Sequence, residues 1–98
     1  MDNQNLKFIG LHYGFNSQSQ VFIEEMSELT KALCKYNRET DVSNKIELWE
    51  DIEEELADVL VLAGQFCEIW ADKENVMSIA DAKIERQLIR IMEETKRC

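Results

Sequence analysis

Hydrophobic residues recur along this chain with the spacing of amphipathic α-helices. Over residues 17–36, 44–71 and 74–96 the apolar positions return every three or four residues, which places them on one face of a helix. The pattern therefore predicts three long helices. A shorter first helix is predicted over residues 6–13, with Gly10 and Gly14 limiting its extent.

Capping residues predict where the helices begin. Residues 17–20 have the form of a capping box headed by Ser17, and Asn44 followed by Glu47 repeats that pattern. Residues 37–43 are predicted to form one connection and residues 72–75 a tight polar break. Short connections between long helices favour antiparallel neighbours, so we expect one all-α domain over residues 1–98, folded as an antiparallel helical bundle.

Composition narrows the classes of partner. The chain has 98 residues, 20 acidic and 11 basic, and a formal charge of −9, which disfavours binding to nucleic acid or to an anionic membrane. No stretch is apolar enough to span a bilayer, and the polar first residues carry no secretory signal. Three widely spaced cysteines without a CxxC pair suit a reducing compartment, so a cytoplasmic location is expected. A chain this short buries little surface alone, and we therefore expect a homodimer or homotetramer.

Carboxylates on two of the predicted helices depart from the amphipathic pattern. With about 100° of rotation per residue, Glu25 falls inside the apolar arc of its helix and Glu28 lies at the edge of that arc. On the next helix, Glu55 falls inside the arc and Asp58 at its margin, while the polar residues around them, including Gln65, point to the far side. Each helix therefore directs a carboxylate pair, spaced three residues apart, towards the core.

Buried carboxylates require neutralisation, and the chain supplies few cations for it. Lys83 and Arg90 flank the apolar stripe of the last helix, with Gln87 beside them, so four acids face two cations. Oxygen ligands favour Mg²⁺, with Mn²⁺ as an alternative, and the position of the single histidine, His12, argues against a di-iron site. An acidic run on a helix is also typical of a solvated face, and the projection alone leaves both interpretations open.

The acidic residues form a pattern that resembles a known family. Glu24, Glu25 and Glu28 read as EExxE, and Glu55 with Asp58 reads as ExxD. This EExxE…ExxD pattern resembles the signature of the MazG-like all-α nucleoside triphosphate pyrophosphohydrolases, and the resemblance covers residues 18–90. It implies an all-α fold and metal binding by the second Glu of EExxE, its third Glu, and both acids of ExxD.

The same resemblance implies substrate contacts outside the acidic pair. Relatives carry a Lys, an Asn and an Arg on the last helix that contact phosphates, and Lys83, Gln87 and Arg90 match that spacing with Gln in place of Asn. His12 and Gln18 precede the first acidic helix, where relatives often place groups that contact the base. Simple snorkelling of Lys83 and Arg90, a surface histidine and a capping glutamine are the alternatives for these positions.

The expected reaction is Mg²⁺-dependent hydrolysis of a nucleoside or deoxynucleoside triphosphate to the monophosphate and pyrophosphate. Attack at the α-phosphorus is implied by the resemblance alone. A P-loop GxxxxGK[ST] does not occur, so Walker-type ATP hydrolysis is not expected. Two alternatives remain, a phosphoribosyl-ATP pyrophosphohydrolase and a non-catalytic acidic helical module that binds a partner.

Overall fold

The chain folds into four α-helices. The structure, a computed structural model, describes residues 1–97 and has no strand within that range. The helices are α1 (Asn3–Tyr13), α2 (Phe15–Arg38), α3 (Val42–Ile69) and α4 (Lys73–Lys96). The all-α prediction is confirmed, and none of these helices has the length and apolar character needed to cross a bilayer.

Aspartates, rather than the predicted capping boxes, begin three of the helices. The carboxylates of Asp2, Asp41 and Asp72 accept backbone N–H bonds of 2.8, 3.0 and 3.1 Å in the first turns of α1, α3 and α4. These bonds satisfy donors that the first turn of a helix leaves without a partner. The predicted caps Ser17 and Asn44 are wrong. Helix α2 already begins after Gly14, whose φ is 89°, and α3 begins after Asp41.

The helices α2 and α3 form an antiparallel hairpin that contains most of the core. Ala32 of α2 and Ile52 and Leu62 of α3 are buried. The ring of Phe66 lies 5.1 Å from that of Phe22 and 4.9 Å from that of Trp70, measured between centroids. The apolar arcs predicted from the sequence therefore meet face to face, as expected for neighbouring amphipathic helices.

The first helix packs across the C-terminal half of α3. Leu6 and Gly10 are the buried residues of α1, and a Cβ atom built on Gly64 would lie 2.9 Å from Cδ1 of Leu6, so a larger residue at position 64 would displace the Leu6 side chain. This packing covers Gln65, whose side chain is only 2% exposed and whose Oε1 has no hydrogen-bond partner among the described residues. The expectation that Gln65 faces solvent is wrong, because α1 covers a second side of α3.

The fourth helix extends away from the other three. α4 contacts α3 next to the turn that joins them, has no buried residue and does not pack against α2 within residues 1–97. The Cα radius of gyration is 17.4 Å, compared with about 13 Å for a compact chain of this length. The bundle is thus formed by α1, α2 and α3, and α4 projects from it.

The cysteines form no cluster in the described part of the chain. Cys34 is exposed on α2 and Cys67 is half-buried on α3, and both are free thiols. Cys98, the third cysteine, lies outside the described residues.

Candidate metal site

Three carboxylates from two helices converge on one point of the hairpin. One oxygen each from Glu25 on α2 and from Glu55 and Asp58 on α3 lie within 4.8 Å of one another. Glu25 and Glu55 are half-buried and Asp58 is exposed, so the cluster is open to solvent. We call these three residues the acidic cluster.

Helix geometry explains why these residues meet. Residues three apart lie on neighbouring positions of a helix surface, so Glu55 and Asp58 share one side of α3. Glu25 stands on the face of α2 that also buries Ala32, two turns further along, and this face packs on α3. The hairpin therefore brings together three of the four acids that the projection directed towards the core.

Glu28 lies next to the acidic cluster rather than in it. Its side chain is half exposed, and its Oε1 accepts a hydrogen bond of 3.4 Å from Nζ of Lys31. Glu28 and Glu55 nevertheless line the same groove between the two helices. The structure thus brings three of the four predicted metal ligands together and leaves the fourth at the margin.

The acids of the cluster disfavour one another's charge. Partial burial, followed by the negative charges of Asp58 and Glu55, raises the pKa of Glu25 above its ordinary value of 4.5. Partial burial, followed by the charges of Asp58 and Glu28, likewise raises the pKa of Glu55. Each shift has the sign expected where carboxylates crowd without enough cations, and a divalent cation would relieve it.

A groove beside the cluster is lined by cations that the sequence interpretation missed. It has a volume of about 90 Å³, and Lys31 and Lys35 of α2 line it together with Glu28 and Glu55. A second hollow of about 240 Å³ continues past Lys35 to Arg38. Their spacing of three and seven residues from Glu28 could have indicated that the lysines share a side of α2 with it.

The predicted phosphate contacts of α4 do not reach the cluster in a single chain. Lys83, Gln87 and Arg90 are exposed, and α4 makes no packing contact with α2 in the described residues. Any role in binding at the cluster would therefore require a neighbouring copy.

The two predicted base contacts differ in accessibility. His12 is exposed on α1, with its ring centroid 6.4 Å from that of Phe8 and 4.8 Å from that of Tyr13. Gln18 is buried, with 6% of its surface exposed, so its amide is closed to solvent in this conformation. Only His12 presents an open surface to a ligand.

The carboxylate oxygens of the cluster suit a hard divalent cation. Mg²⁺ binds through one or a few carboxylates and keeps open positions for water and phosphate oxygens, and Mn²⁺ accepts the same donors. Glu25, Glu55 and Asp58 could therefore hold such an ion.

Comparison with protein-family models, with curated proteins and with solved structures found no match to this chain.

Proposed function

We propose that this protein is a Mg²⁺-dependent nucleoside triphosphate pyrophosphohydrolase, which converts a nucleoside or deoxynucleoside triphosphate and water into the monophosphate and pyrophosphate. The observation that carries the proposal is the convergence of Glu25, Glu55 and Asp58 from two helices onto one point. Three carboxylates within 4.8 Å form an oxygen donor set for a metal. The resemblance of EExxE…ExxD to the MazG-like family supplies the choice of the α-phosphorus.

The acidic cluster has the role of holding Mg²⁺, with Mn²⁺ as a possible substitute. A bound divalent cation neutralises phosphate charge and activates water for attack on phosphorus. Glu28 stands beside the cluster and orients Lys31 through their ion pair of 3.4 Å. The side chains of the proposed site therefore fall into two groups, those that bind the metal and those that position the phosphates.

The lysines of the adjoining groove have the role of binding phosphate oxygens. Lys31 and Lys35 line the groove that Glu55 also lines, so a phosphate held at the cluster would lie beside them. Ammonium groups beside transferring and leaving phosphates stabilise the charge that develops there. Lys83, Gln87 and Arg90 remain predicted contacts and act, in this proposal, from a second copy of the chain.

The proposed reaction forms a bond between a water oxygen and the α-phosphorus. The bond from the α-phosphorus to the oxygen bridging to the β-phosphorus breaks, pyrophosphate leaves, and the water proton is released to solvent or to the products. The enzyme is proposed to be a cytoplasmic homo-oligomer. His12 is proposed to contact the base, whereas Gln18, the other predicted base contact, is buried in this conformation.

A pyrophosphate-release assay tests this proposal. The purified protein is incubated with ribo- and deoxyribonucleoside triphosphates and Mg²⁺, with and without EDTA. We expect pyrophosphate release from at least one nucleotide, its loss with EDTA, and its loss in Glu25→Gln with the helical circular dichroism retained. Glu24→Gln, the adjacent acid outside the cluster, is the matched control and should keep activity.

Three results would overturn the proposal. Turnover of phosphoribosyl-ATP alone would assign the protein to the related histidine-synthesis activity. Release of pyrophosphate from no substrate would favour the non-catalytic binding module. Full activity in Glu25→Gln would show that the acidic cluster does not hold the metal.

A further inference from the structure

Two hollows beside the acidic cluster form one groove along the α2–α3 hairpin. The smaller hollow, of about 90 Å³, is lined by Glu55 of the cluster, and the larger one, of about 240 Å³, lies towards the end of α2. Lys35 of α2 and Leu48 of α3 line both hollows, so the two are continuous. We call this surface the extended groove.

Three basic side chains follow one another along the α2 wall of the extended groove. Lys31, Lys35 and Arg38 are four and three residues apart, which keeps them on one stripe of the helix. The stripe covers about 10 Å along the helix axis from Lys31 to Arg38. Because side chains of an α-helix tilt towards its N-terminus, all three lean in the direction of the acidic cluster.

Two of these three cations have no carboxylate partner. Lys31 pairs with an acid one turn earlier on α2, whereas Lys35 and Arg38 form no ion pair among the described residues. Glu39 lines the far hollow, and its Oε1 accepts a hydrogen bond of 3.0 Å from the backbone N–H of Asp41. Two unpaired cations on a chain with a formal charge of −9 leave this end of the groove able to bind an anion.

The charge of the lining residues changes along the extended groove. Beside the cluster the groove is lined by the acids Glu28, Asp51 and Glu55, and at its far end by Lys35 and Arg38. A divalent cation at the acidic cluster and the basic side chains beyond it would place positive charge along the whole groove. A linear chain of phosphates, with negative charge on every unit, is complementary to that arrangement.

The extended groove has one more cation than a triphosphate requires. Attack on the α-phosphorus leaves the β- and γ-phosphates to be bound beyond the metal, and Lys31 and Lys35 match these two groups in number. Arg38 lies about 4.5 Å further along α2 than Lys35, so it is available to a third phosphate beyond the α-phosphate. The planar guanidinium of Arg binds phosphate oxygens through two parallel N–H donors, which suits a terminal phosphate.

We propose that the preferred substrate carries a linear chain of four phosphates, as in a nucleoside 5′-tetraphosphate, and that Arg38 binds the terminal phosphate. This inference rests on the proposed function, because it uses the same metal and the same attack on the α-phosphorus. A water oxygen bonds to the α-phosphorus, and the bond from the α-phosphorus to the oxygen bridging to the β-phosphorus breaks. Inorganic triphosphate then leaves in place of pyrophosphate, and the water proton is released to solvent or to the products.

Steady-state hydrolysis of matched substrates tests this preference. The 5′-tetraphosphate and the 5′-triphosphate of the same nucleoside, which differ by one phosphate, are compared for adenosine, guanosine, cytidine and uridine with Mg²⁺. We expect kcat/KM for the tetraphosphate to exceed that for the triphosphate by about tenfold, the effect of one charged hydrogen bond. Arg38→Gln should lower this ratio to about one, and Arg38→Lys should keep part of it.

Lys45→Gln is the matched control. Lys45 lies near the same end of the hairpin, with its Nζ 4.5 Å from the ring centroid of Tyr36, and it lines a different hollow. This variant removes the same unit of positive charge and should keep the wild-type ratio. Arg38 in the last turn of α2 also stabilises the C-terminus of that helix. Loss of that role alone would lower the unfolding midpoint of Arg38→Gln without changing the ratio.

Calorimetric titration with inorganic polyphosphates makes the test independent of turnover. With Mg²⁺ in excess, inorganic triphosphate should bind the wild-type protein about tenfold more tightly than pyrophosphate, and Arg38→Gln should remove the difference. Equal affinities, or a difference that Arg38→Gln retains, would overturn this inference.

The two measurements separate this inference from the proposed function. Hydrolysis of triphosphates with a kcat/KM ratio near one, or with the same ratio in the wild-type protein and Arg38→Gln, would overturn the inference and leave the proposed function in place. If no nucleotide is hydrolysed, the proposed function fails, and the two affinities alone decide whether Arg38 binds a third phosphate.

Discussion

Mg²⁺ is expected to raise the thermal stability of this protein through the acidic cluster. The folded chain holds three carboxylate oxygens within 4.8 Å, and crowding raises the pKa of Glu25 and of Glu55. An unfolded chain separates these groups and loses the donor set. A cation that binds the folded chain alone therefore adds its binding free energy to the stability.

The size of the effect follows from mass action. At a free Mg²⁺ concentration ten times the dissociation constant, the added stability is about 1.4 kcal/mol. For a domain of this length, about 1 kcal/mol shifts the unfolding midpoint by about 4–8 °C, so the expected rise is about 6–11 °C. The shift should grow with the logarithm of the Mg²⁺ concentration above saturation.

Differential scanning calorimetry with and without Mg²⁺ measures this shift directly. Glu25→Gln should abolish most of the rise, whereas Glu24→Gln should retain it, because Glu24 is exposed and outside the cluster. An equal rise in both variants would refute the assignment of the site, since it would show non-specific screening of the negative charge. No rise in the wild-type protein would refute metal binding itself.

Three further outcomes are expected from the same structure. Replacing Lys31 and Lys35 by alanine should raise KM for the nucleotide by about tenfold or more, with a smaller effect on kcat, because each lysine is proposed to donate a charged hydrogen bond to phosphate. An unchanged KM in steady-state kinetics would show that the two lysines do not bind the substrate. In EDTA, Glu25 and Glu55 have a folded-state pKa above 4.5, so their contribution to the stability of the fold is fully present below pH 4.5 and is lost as the pH rises through the folded-state pKa. The rise in unfolding midpoint that Mg²⁺ induces should therefore shrink as the pH falls towards 4.5, and a rise independent of pH would contradict this. Replacing the buried Gln65 by methionine removes an unbonded oxygen and should stabilise the fold by about 1–3 kcal/mol in urea unfolding, whereas a loss of stability would show that the amide has a partner.

Periodicity identified the helices because local sequence determines most of their extent. The predicted segments match α2, α3 and α4 to within a few residues, and the same projection placed Glu25 and Glu55 on the packed faces that the structure confirms. The starting residues were wrong for α2 and α3, because Gly14 and Asp41 offer earlier starts than the capping patterns. Capping patterns in the sequence cannot decide between two nearby first residues of a helix when the two helices differ in stability by less than one cap contributes.

Contacts between distant parts of the chain could not be predicted from periodicity. Gln65 is the most buried side chain of the structure only because α1 crosses α3 there, and a single-helix projection contains no second neighbour. Lys31 and Lys35 line the groove beside the acidic cluster because α3 lies alongside α2, so their proposed role depends on the hairpin geometry. The stripe on α4 was correctly identified as apolar, but spacing along one helix does not reveal which surface covers it.

The most direct test of the central claim is hydrolysis in ¹⁸O-labelled water with Mg²⁺, followed by mass spectrometry of both products. We expect one ¹⁸O atom in the nucleoside monophosphate and none in the pyrophosphate, with this turnover absent in Glu25→Gln and present in Glu24→Gln. Label in pyrophosphate or in free phosphate, or turnover that persists in Glu25→Gln, would contradict attack on the α-phosphorus at the acidic cluster.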